Sequence, residues 1–128
     1  MSNGSQQSLQ QLARNSLPDI EFQYFFDSTS SKYFKPRLEM YRQVEQTGYQ
    51  IDEILHVAGA IIDVKGARDY GLFVGHNKII DDQFYGFLES EKPCFEVKDI
   101  SGVVDVMLSQ DPNLVKLYFK KDNGQIIQ

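Results

Sequence analysis

The hydrophobic and polar positions in the middle of the chain predict a strand, a helix and a second strand. Residues 54–57 and 72–74 are short apolar runs with the length of buried parallel strands. Between them, small residues at 58–60 predict a turn in which the backbone can approach a ligand closely. Asp63 follows where a helix is expected to begin, a position at which the helix dipole favours a carboxylate, and Gly71 is expected to end that helix. The pattern is typical of a βαβ unit with parallel strands.

Small residues and one acidic residue mark the end of this unit at which we expect function. Gly66 and Ala67 are small enough to let the helix lie close on the sheet. In open α/β sheets, ligands bind at the carboxyl ends of the strands. Residues 58–63 are expected to lie at that end, so Asp63 is a first candidate for chemistry.

The flanking segments continue the mixture of helical and strand-like patterns. Leu9, Leu12 and Ala13 fit one face of a helix that begins after Ser5 and ends at residues 15–18. The other predicted elements are a buried strand at 22–26, a helix from Pro36 to Thr47-Gly48, a strand at 94–97 and a helix capped by Ser101. Residues 79–88 are ambiguous and compatible with a short helix. Together these elements predict an α/β fold.

Composition and charge limit the function classes. The chain has 128 residues, which suggests one domain, and a net charge of -5 without a basic stripe, which disfavours nucleic acid as a partner. The single cysteine, Cys94, excludes an internal disulfide framework and fits a reducing compartment. No apolar run reaches the length of a membrane span, and the N-terminus lacks a signal-peptide core. We therefore expect a soluble, cytoplasmic protein with no membrane partner.

A series of short motifs, taken in order, resembles the haloacid dehalogenase-like hydrolases. The motifs are Ser2-Asn3-Gly4, Phe26-Asp27, Lys35-Pro36, and His56-Val57 through to Asp63 with Gly66-Ala67 and Gly71. The chain is most similar to the 2-haloacid dehalogenase branch, over roughly residues 1–97. The resemblance implies a doubly wound, Rossmann-like parallel sheet with a nucleophilic aspartate after its first strand. It also implies a covalent intermediate that water hydrolyses.

The resemblance assigns roles to five residues. Lys35 matches the catalytic lysine whose ammonium neutralises the crowded carboxylates and the developing charge. Asp63 matches the catalytic acidic residue that helps to orient water or the lysine. Ser2, Asn3 and Tyr41 match groups that contact the substrate. The implied substrate is a small molecule with a carbon–halogen or phosphoester bond, and no cofactor or metal is expected.

The sequence departs from the family at its nucleophile. The family's aspartate-rich motif lies upstream of the position matched by Met1, and no segment of this chain replaces it. Ala58 and Ala60 stand where dehalogenases have Ser and Asn, and where phosphatases have an acidic residue that shares Mg²⁺, so a magnesium site is not supported. We expect a partial sheet that lacks the nucleophile strand and the cap, in a truncated hydrolase that is inactive alone.

Such a truncation would leave open sheet edges, which suggests an alternative function. The chain would have to pair strands that are not neighbours in the family, borrow a strand, or stay partly molten. The alternative is a non-catalytic interaction module that completes its sheet with a strand from a second copy or from a complementing chain. A third interpretation is that the sequence is an incomplete gene model of an ordinary hydrolase.

Structural explanations compete with each functional role. A lysine before proline is commonly solvated, a carboxylate such as Asp63 is common at helix starts, and Ser2-Asn3 equally suits a turn. Tyr41 falls on an apolar helix face and suits core packing. His56 lies within an apolar run and is expected to be a buried, hydrogen-bonded histidine rather than a ligand. Cys94 is expected to be an inert core thiol.

We divide the chain at residue 110. Residues 1–110 are expected to form the C-terminal part of a haloacid dehalogenase-like core domain, and residues 111–128 a tail. In the tail, residues 114–119 predict a strand and Asp122-Asn123-Gly124 a tight turn, which together would suit a hairpin. Residues 125–128 are either a last strand or a frayed end.

Overall fold

A computed structural model describes residues 1–79 and 83–109 of the chain, and a three-stranded parallel sheet lies at its centre. The strands are β1 (Leu55–Ala58), β2 (Phe73–Asn77) and β3 (Phe95–Val97), in the order β1-β2-β3. The α-helices are α1 (Gln6–Ser16), α2 (Ser28–Ser31), α3 (Leu38–Tyr41), α4 (Ile61–Tyr70) and α5 (Ile100–Leu108), and 3₁₀ turns span Arg42–Thr47, Ile51–Glu53 and Glu89–Glu91.

The predicted strand–helix–strand unit is confirmed as β1, α4 and β2. The two strands pair in parallel, with Leu55 opposite Phe73 and Ala58 opposite His76. Asp63 lies in the first turn of α4, and Gly71 ends the helix in the left-handed conformation at φ 104°, which glycine adopts without steric cost. The chain therefore has the predicted α/β class, in the form of a small open sheet with helices.

Two further elements agree with the sequence pattern. The hydroxyl of Ser5 accepts a hydrogen bond from Ser8 N at 3.2 Å and caps α1. β3 occupies most of the predicted strand at 94–97 and pairs in parallel with β2, with Gly75 opposite Phe95.

The strand predicted at residues 22–26 is wrong. These residues contain no strand, and Phe26 O accepts a single backbone hydrogen bond from Ser2 N at 3.0 Å. Phe22 and Tyr24 are 42% and 45% exposed, so the aromatic run does not form a buried strand. An extended segment becomes a strand only when a neighbouring strand completes its ladder of hydrogen bonds, and no described strand lies beside this one.

Two helix boundaries and one predicted short helix differ from the prediction. Pro36 precedes the helix rather than occupying its first turn, since α3 begins at Leu38 and continues after residue 41 as a 3₁₀ turn. Asp99, not Ser101, caps α5, because its side chain accepts from Gly102 N at 3.0 Å. The ambiguous segment 79–88 is compatible in sequence with a short helix. Its described residues 83–88 form a turn and not a helix. The strand and turn predicted at 114–119 and 122–124 lie outside the described residues.

The core is divided between the two faces of the sheet. On one face, side chains of α3, the 3₁₀ turn that follows it, β1, α4 and the region of β2 form a cluster. It consists of Tyr41, Val44, Ala58, Val64, Ala67, Leu72 and Val74. On the other, β2, β3 and α5 form a cluster that consists of Phe73, Cys94, Phe95, Val103 and Val106. Cys94 is buried, as expected. None of the helices in the described ranges combines the length and apolar character needed to cross a bilayer.

Gly66 is needed for contact with α3 rather than with the sheet, which corrects the prediction for this residue. A Cβ at position 66 would lie 2.7 Å from the Tyr41 ring and 2.8 Å from Pro36 Cβ. Ala67, in contrast, belongs to the core cluster beside the sheet. The small residue at 66 therefore allows Tyr41 to lie directly against α4.

We expect Gly66→Ala to destabilise the protein by about 1–3 kcal/mol, because the added methyl overpacks the contact with Tyr41. Gly59→Ala is the matched control, since nothing lies within 4 Å of a Cβ built there. Urea denaturation would measure both free energies of unfolding. Equal effects of the two substitutions would contradict the packing explanation.

Candidate functional site

The Asp63 carboxylate is the centre of a group of polar side chains at the carboxyl end of β1. Lys35 Nζ donates to Asp63 Oδ2 at 2.7 Å. The Tyr41 hydroxyl donates to Asp63 Oδ1 at 2.7 Å, and His56 Nε2 lies 3.0 Å from the same oxygen. We call Lys35, Tyr41, His56 and Asp63 the Asp63 cluster.

The four residues of the cluster come from segments far apart in sequence. Asp63 is held by the first turn of α4, His56 by β1 and Tyr41 by the last residue of α3. Lys35 precedes α3, and its backbone N donates to Asn3 Oδ1 at 2.7 Å. The cluster therefore links the N-terminal segment, α3, β1 and α4.

The cluster is largely removed from solvent. The exposed fractions of the side chains are 16% for Lys35, 11% for His56 and 9% for Asp63, and Tyr41 is fully buried. A charge buried to this extent is tolerated only when it is paired and hydrogen-bonded. The three donors to Asp63 meet that requirement.

Burial and the neighbouring groups shift two pKa values in opposite directions. Burial by itself would raise the pKa of Asp63, but the hydrogen bonds from His56 and Lys35, with the charge of Lys35, hold this pKa well below its ordinary value. Burial raises the pKa of Tyr41, and the hydrogen bond to Asp63 raises it further. Asp63 is therefore an anion and Tyr41 a neutral phenol across the physiological range.

The structure brings together most of the residues predicted for the site. Lys35 and Tyr41 contact Asp63 directly, and Asn3 contacts the backbone of Lys35. The Ser2 hydroxyl instead accepts from Gly4 N at 3.2 Å, so it closes the N-terminal turn. The roles that the resemblance assigns to these residues stay predictions, because geometry by itself does not identify a reaction.

His56 is largely buried and hydrogen-bonded, as the sequence pattern predicts, but the pattern does not identify its partner. Its Nε2 contacts the carboxylate of Asp63, seven residues later. The sequence signal that points to this contact is a histidine near the end of a predicted strand, with an acidic residue in the helix start that follows the turn. The apolar neighbours of His56 concealed it.

Asp27 is a second polar residue whose role only the structure reveals. Its fully buried carboxylate accepts hydrogen bonds from Gln6 N at 3.0 Å, Thr29 N at 3.2 Å and Ser30 N at 3.3 Å. Burial opposes ionisation, but these hydrogen bonds outweigh it and place the pKa of Asp27 below its ordinary value. Asp27 therefore joins the starts of α1 and α2 and stabilises the fold.

The chemistry available to the cluster is electrostatic. Asp63 is the one carboxylate that pairs with Lys35 in residues 1–79 and 83–109. Within these ranges, no group of three His, Cys, Asp or Glu side chains is arranged to hold a metal ion. The cluster can thus present a fixed ammonium, a phenol and an imidazole around one carboxylate.

We expect Asp63→Ala to lower the free energy of unfolding by about 3–5 kcal/mol, because it leaves the largely buried Lys35 without its counter-charge. Asp69→Ala is the control: Asp69 pairs with Lys65 on the surface of the same helix, and removing an exposed partner should cost much less. Chemical denaturation at neutral pH would measure both losses. Similar losses in the two variants would contradict the importance of the cluster.

The same substitution should reduce the acid sensitivity of the protein. The folded pKa of Asp63 is lowered, so its contribution to stability is complete above the pKa of an unfolded aspartate, about 3.9. This contribution disappears as the pH falls below that value towards the lower folded pKa. When the denaturation series is repeated in acid, the difference in free energy of unfolding between wild type and Asp63→Ala should therefore become smaller.

Comparison with family models and with curated proteins gives no relative from which a function could be transferred. No family model matches the sequence, and no curated protein matches it either. A functional hypothesis must therefore come from the order of the motifs and from the geometry of the Asp63 cluster.

Proposed function

We propose that this chain supplies the lysine–aspartate part of a haloacid dehalogenase-like hydrolase site, of the 2-haloacid dehalogenase type. In this proposal the three-stranded sheet is part of the doubly wound sheet of that family. The family's aspartate-rich motif is absent from the sequence, so in this proposal another chain supplies the nucleophilic carboxylate and this chain is inactive alone. Lys35 and Asp63 are the catalytic pair, and the resemblance assigns Ser2, Asn3 and Tyr41 to substrate contact.

The observation that carries the proposal is the 2.7 Å ion pair between Lys35 Nζ and Asp63 Oδ2 in a largely buried site. The two residues are 28 positions apart in the sequence, and the motif order assigns both of them to the site. A lysine held in this way keeps a positive charge at a fixed place. Such a charge stabilises a second carboxylate and the negative charge that develops during displacement of a leaving group.

The reaction that the resemblance implies has two steps. The nucleophilic carboxylate attacks the carbon that bears the halogen; a C–O bond forms as the carbon–halogen bond breaks, and halide leaves. Water then hydrolyses the resulting ester. In both steps Lys35 would offset negative charge, and Asp63 would hold Lys35 in position.

The same proposal specifies the class of substrate, the cofactor requirement and the cellular location. The substrate is a small molecule, and no cofactor takes part in either step. A cytoplasmic location is in keeping with a single cysteine that is a buried free thiol.

The test is complementation of the chain with its missing carboxylate. We expect the purified chain alone to release no halide from 2-chloropropionate and no phosphate from p-nitrophenyl phosphate. Addition of a fragment that carries the nucleophile strand and cap of a 2-haloacid dehalogenase should restore halide release. In that mixture Lys35→Ala should lower turnover about 10²–10³-fold, because a preorganised charge is lost.

Lys65→Ala is the matched control for this experiment. Lys65 lies on α4 and pairs with Asp69 and Glu91, away from the Asp63 carboxylate, so its removal should leave restored turnover unchanged. Turnover by the chain alone that Lys35→Ala abolishes would refute the need for a second carboxylate. Restored turnover that is indifferent to Lys35→Ala would refute the role of the lysine.

A second candidate function is an interaction module that accepts a strand from a partner. The observation in its favour is that β1 pairs with β2 on one side and with no described strand on the other. An apolar groove of about 400 Å³ also lies between α1 and the extended aromatic segment; its lining includes Leu9, Leu12, Phe22, Tyr24 and Phe25. An open sheet edge favours strand addition, and exposed apolar surface favours docking of a partner.

Sedimentation would test strand sharing. We expect the chain to self-associate in the micromolar range, and Val57→Lys to weaken association, because a charge at a sheet edge opposes strand addition. Val57 lies on β1 and is 37% exposed; Val104→Lys on α5, at a position 47% exposed, is the control. A strictly monomeric wild type, or equal effects of the two lysines, would argue against strand sharing.

A further inference from the structure

The contact with Asp63 determines which nitrogen of a neutral His56 ring carries the proton. His56 Nε2 lies 3.0 Å from Asp63 Oδ1. Because the pKa of Asp63 is held well below its ordinary value, this oxygen belongs to a carboxylate and can only accept a hydrogen bond. Nε2 must therefore carry a proton, which leaves the lone pair of a neutral imidazole at Nδ1.

The other groups of the cluster are poor proton acceptors near neutral pH. Lys35 donates to Asp63 as an ammonium, and burial and the neighbouring carboxylate raise the pKa of Tyr41, which stays a phenol. Asp63 is an anion, but its oxygens already accept from three donors and its low pKa makes it a weak base. Within the Asp63 cluster, His56 is the residue with a lone pair to offer.

His56 is also placed where water can reach it. It lies on β1, the strand whose outer edge has no described neighbour, and 11% of its side chain is exposed. Its Nδ1 is not among the side-chain atoms of the described residues that are enclosed without a hydrogen-bond partner. The other histidine, His76, is less accessible: it is fully buried, and its Nδ1 is enclosed without a hydrogen-bond partner.

We propose that His56 is the proton acceptor of this site and that Asp63 is the positioning residue that fixes its tautomer. The inference rests on the hydrolase function proposed above and concerns its second step. A water molecule attacks the carbonyl carbon of the ester formed by the nucleophilic carboxylate, and its proton passes to Nδ1 as the new C–O bond forms. The ester C–O bond then breaks, and the departing oxygen takes the proton from the imidazolium, which Asp63 stabilises meanwhile.

Nitrogen NMR of the uniformly labelled chain can determine the tautomer directly, since the sequence contains only two histidines. At neutral pH we expect His56 to show a protonated Nε2 and an unprotonated Nδ1. Tyr41→Phe keeps the carboxylate and should keep this tautomer. Asp63→Asn should give a mixture, because an amide can donate as well as accept. His76→Gln assigns the two sets of signals.

Chemical modification provides an independent measurement on the wild-type chain. Diethyl pyrocarbonate acylates an imidazole through its free lone pair, and peptide mapping separates the two histidines. We expect His56 to react at least about tenfold faster than His76, which reacts only when the protein opens locally. This comparison tests whether His56 presents an accessible lone pair even if Asp63→Asn fails to fold.

Either of two results would overturn the proposal: a proton on Nδ1 of His56 in the wild type, or modification of His56 no faster than that of His76. Neither measurement needs turnover. In the complemented enzyme, mass spectrometry should show the ester intermediate accumulating in His56→Gln and absent in Lys35→Ala. If the wild-type mixture forms no intermediate, the hydrolase proposal fails, while the tautomer still decides whether His56 can accept a proton.

Discussion

This part of the structure depends on the ion pair and hydrogen bonds that the buried carboxylate of Asp63 makes. An unpaired charge at 9% side-chain exposure would be strongly unfavourable. Lys35, Tyr41 and His56 compensate it from three different segments, so a single side chain on α4 ties the N-terminal half of the described chain to the sheet. The same compensation orients an ammonium and an imidazole, and the chemistry proposed for the site therefore cannot be separated from its contribution to stability.

Packing makes this arrangement possible. Tyr41 reaches Asp63 because Gly66, one turn further along α4, leaves room for its ring. Asn3 in turn holds the backbone of Lys35 in place. The cluster is therefore a consequence of close contact between α3 and α4, and its geometry should be lost before the sheet itself when that contact is disturbed.

The open side of β1 links the two proposed functions. The described sheet is covered on both faces by core clusters, yet β1 has a neighbour on one side only. Residues 22–26 make a single backbone bridge, to Ser2, and no ladder. In the hydrolase proposal, a strand supplied from outside the described residues pairs with this edge and brings the nucleophilic carboxylate to Lys35. In the hydrolase proposal such a strand supplies a nucleophilic carboxylate, whereas in the interaction module it supplies only backbone hydrogen bonds.

The residue pattern alone locates the three strands to within a few residues and the ends of α1 and α4, because short apolar runs, a capping serine and a terminal glycine act locally. The other features depend on contacts between residues that are distant in sequence. Residues 22–26 needed a partner strand that apolar pattern cannot supply, and the choice of Asp99 over Ser101 as a cap depended on which side chain could reach Gly102 N. The motif order selected Lys35 and Asp63, but only folding set their atoms 2.7 Å apart and added His56. Periodicity reports which face of an element is buried, whereas the contacts of a polar side chain depend on residues distant in sequence.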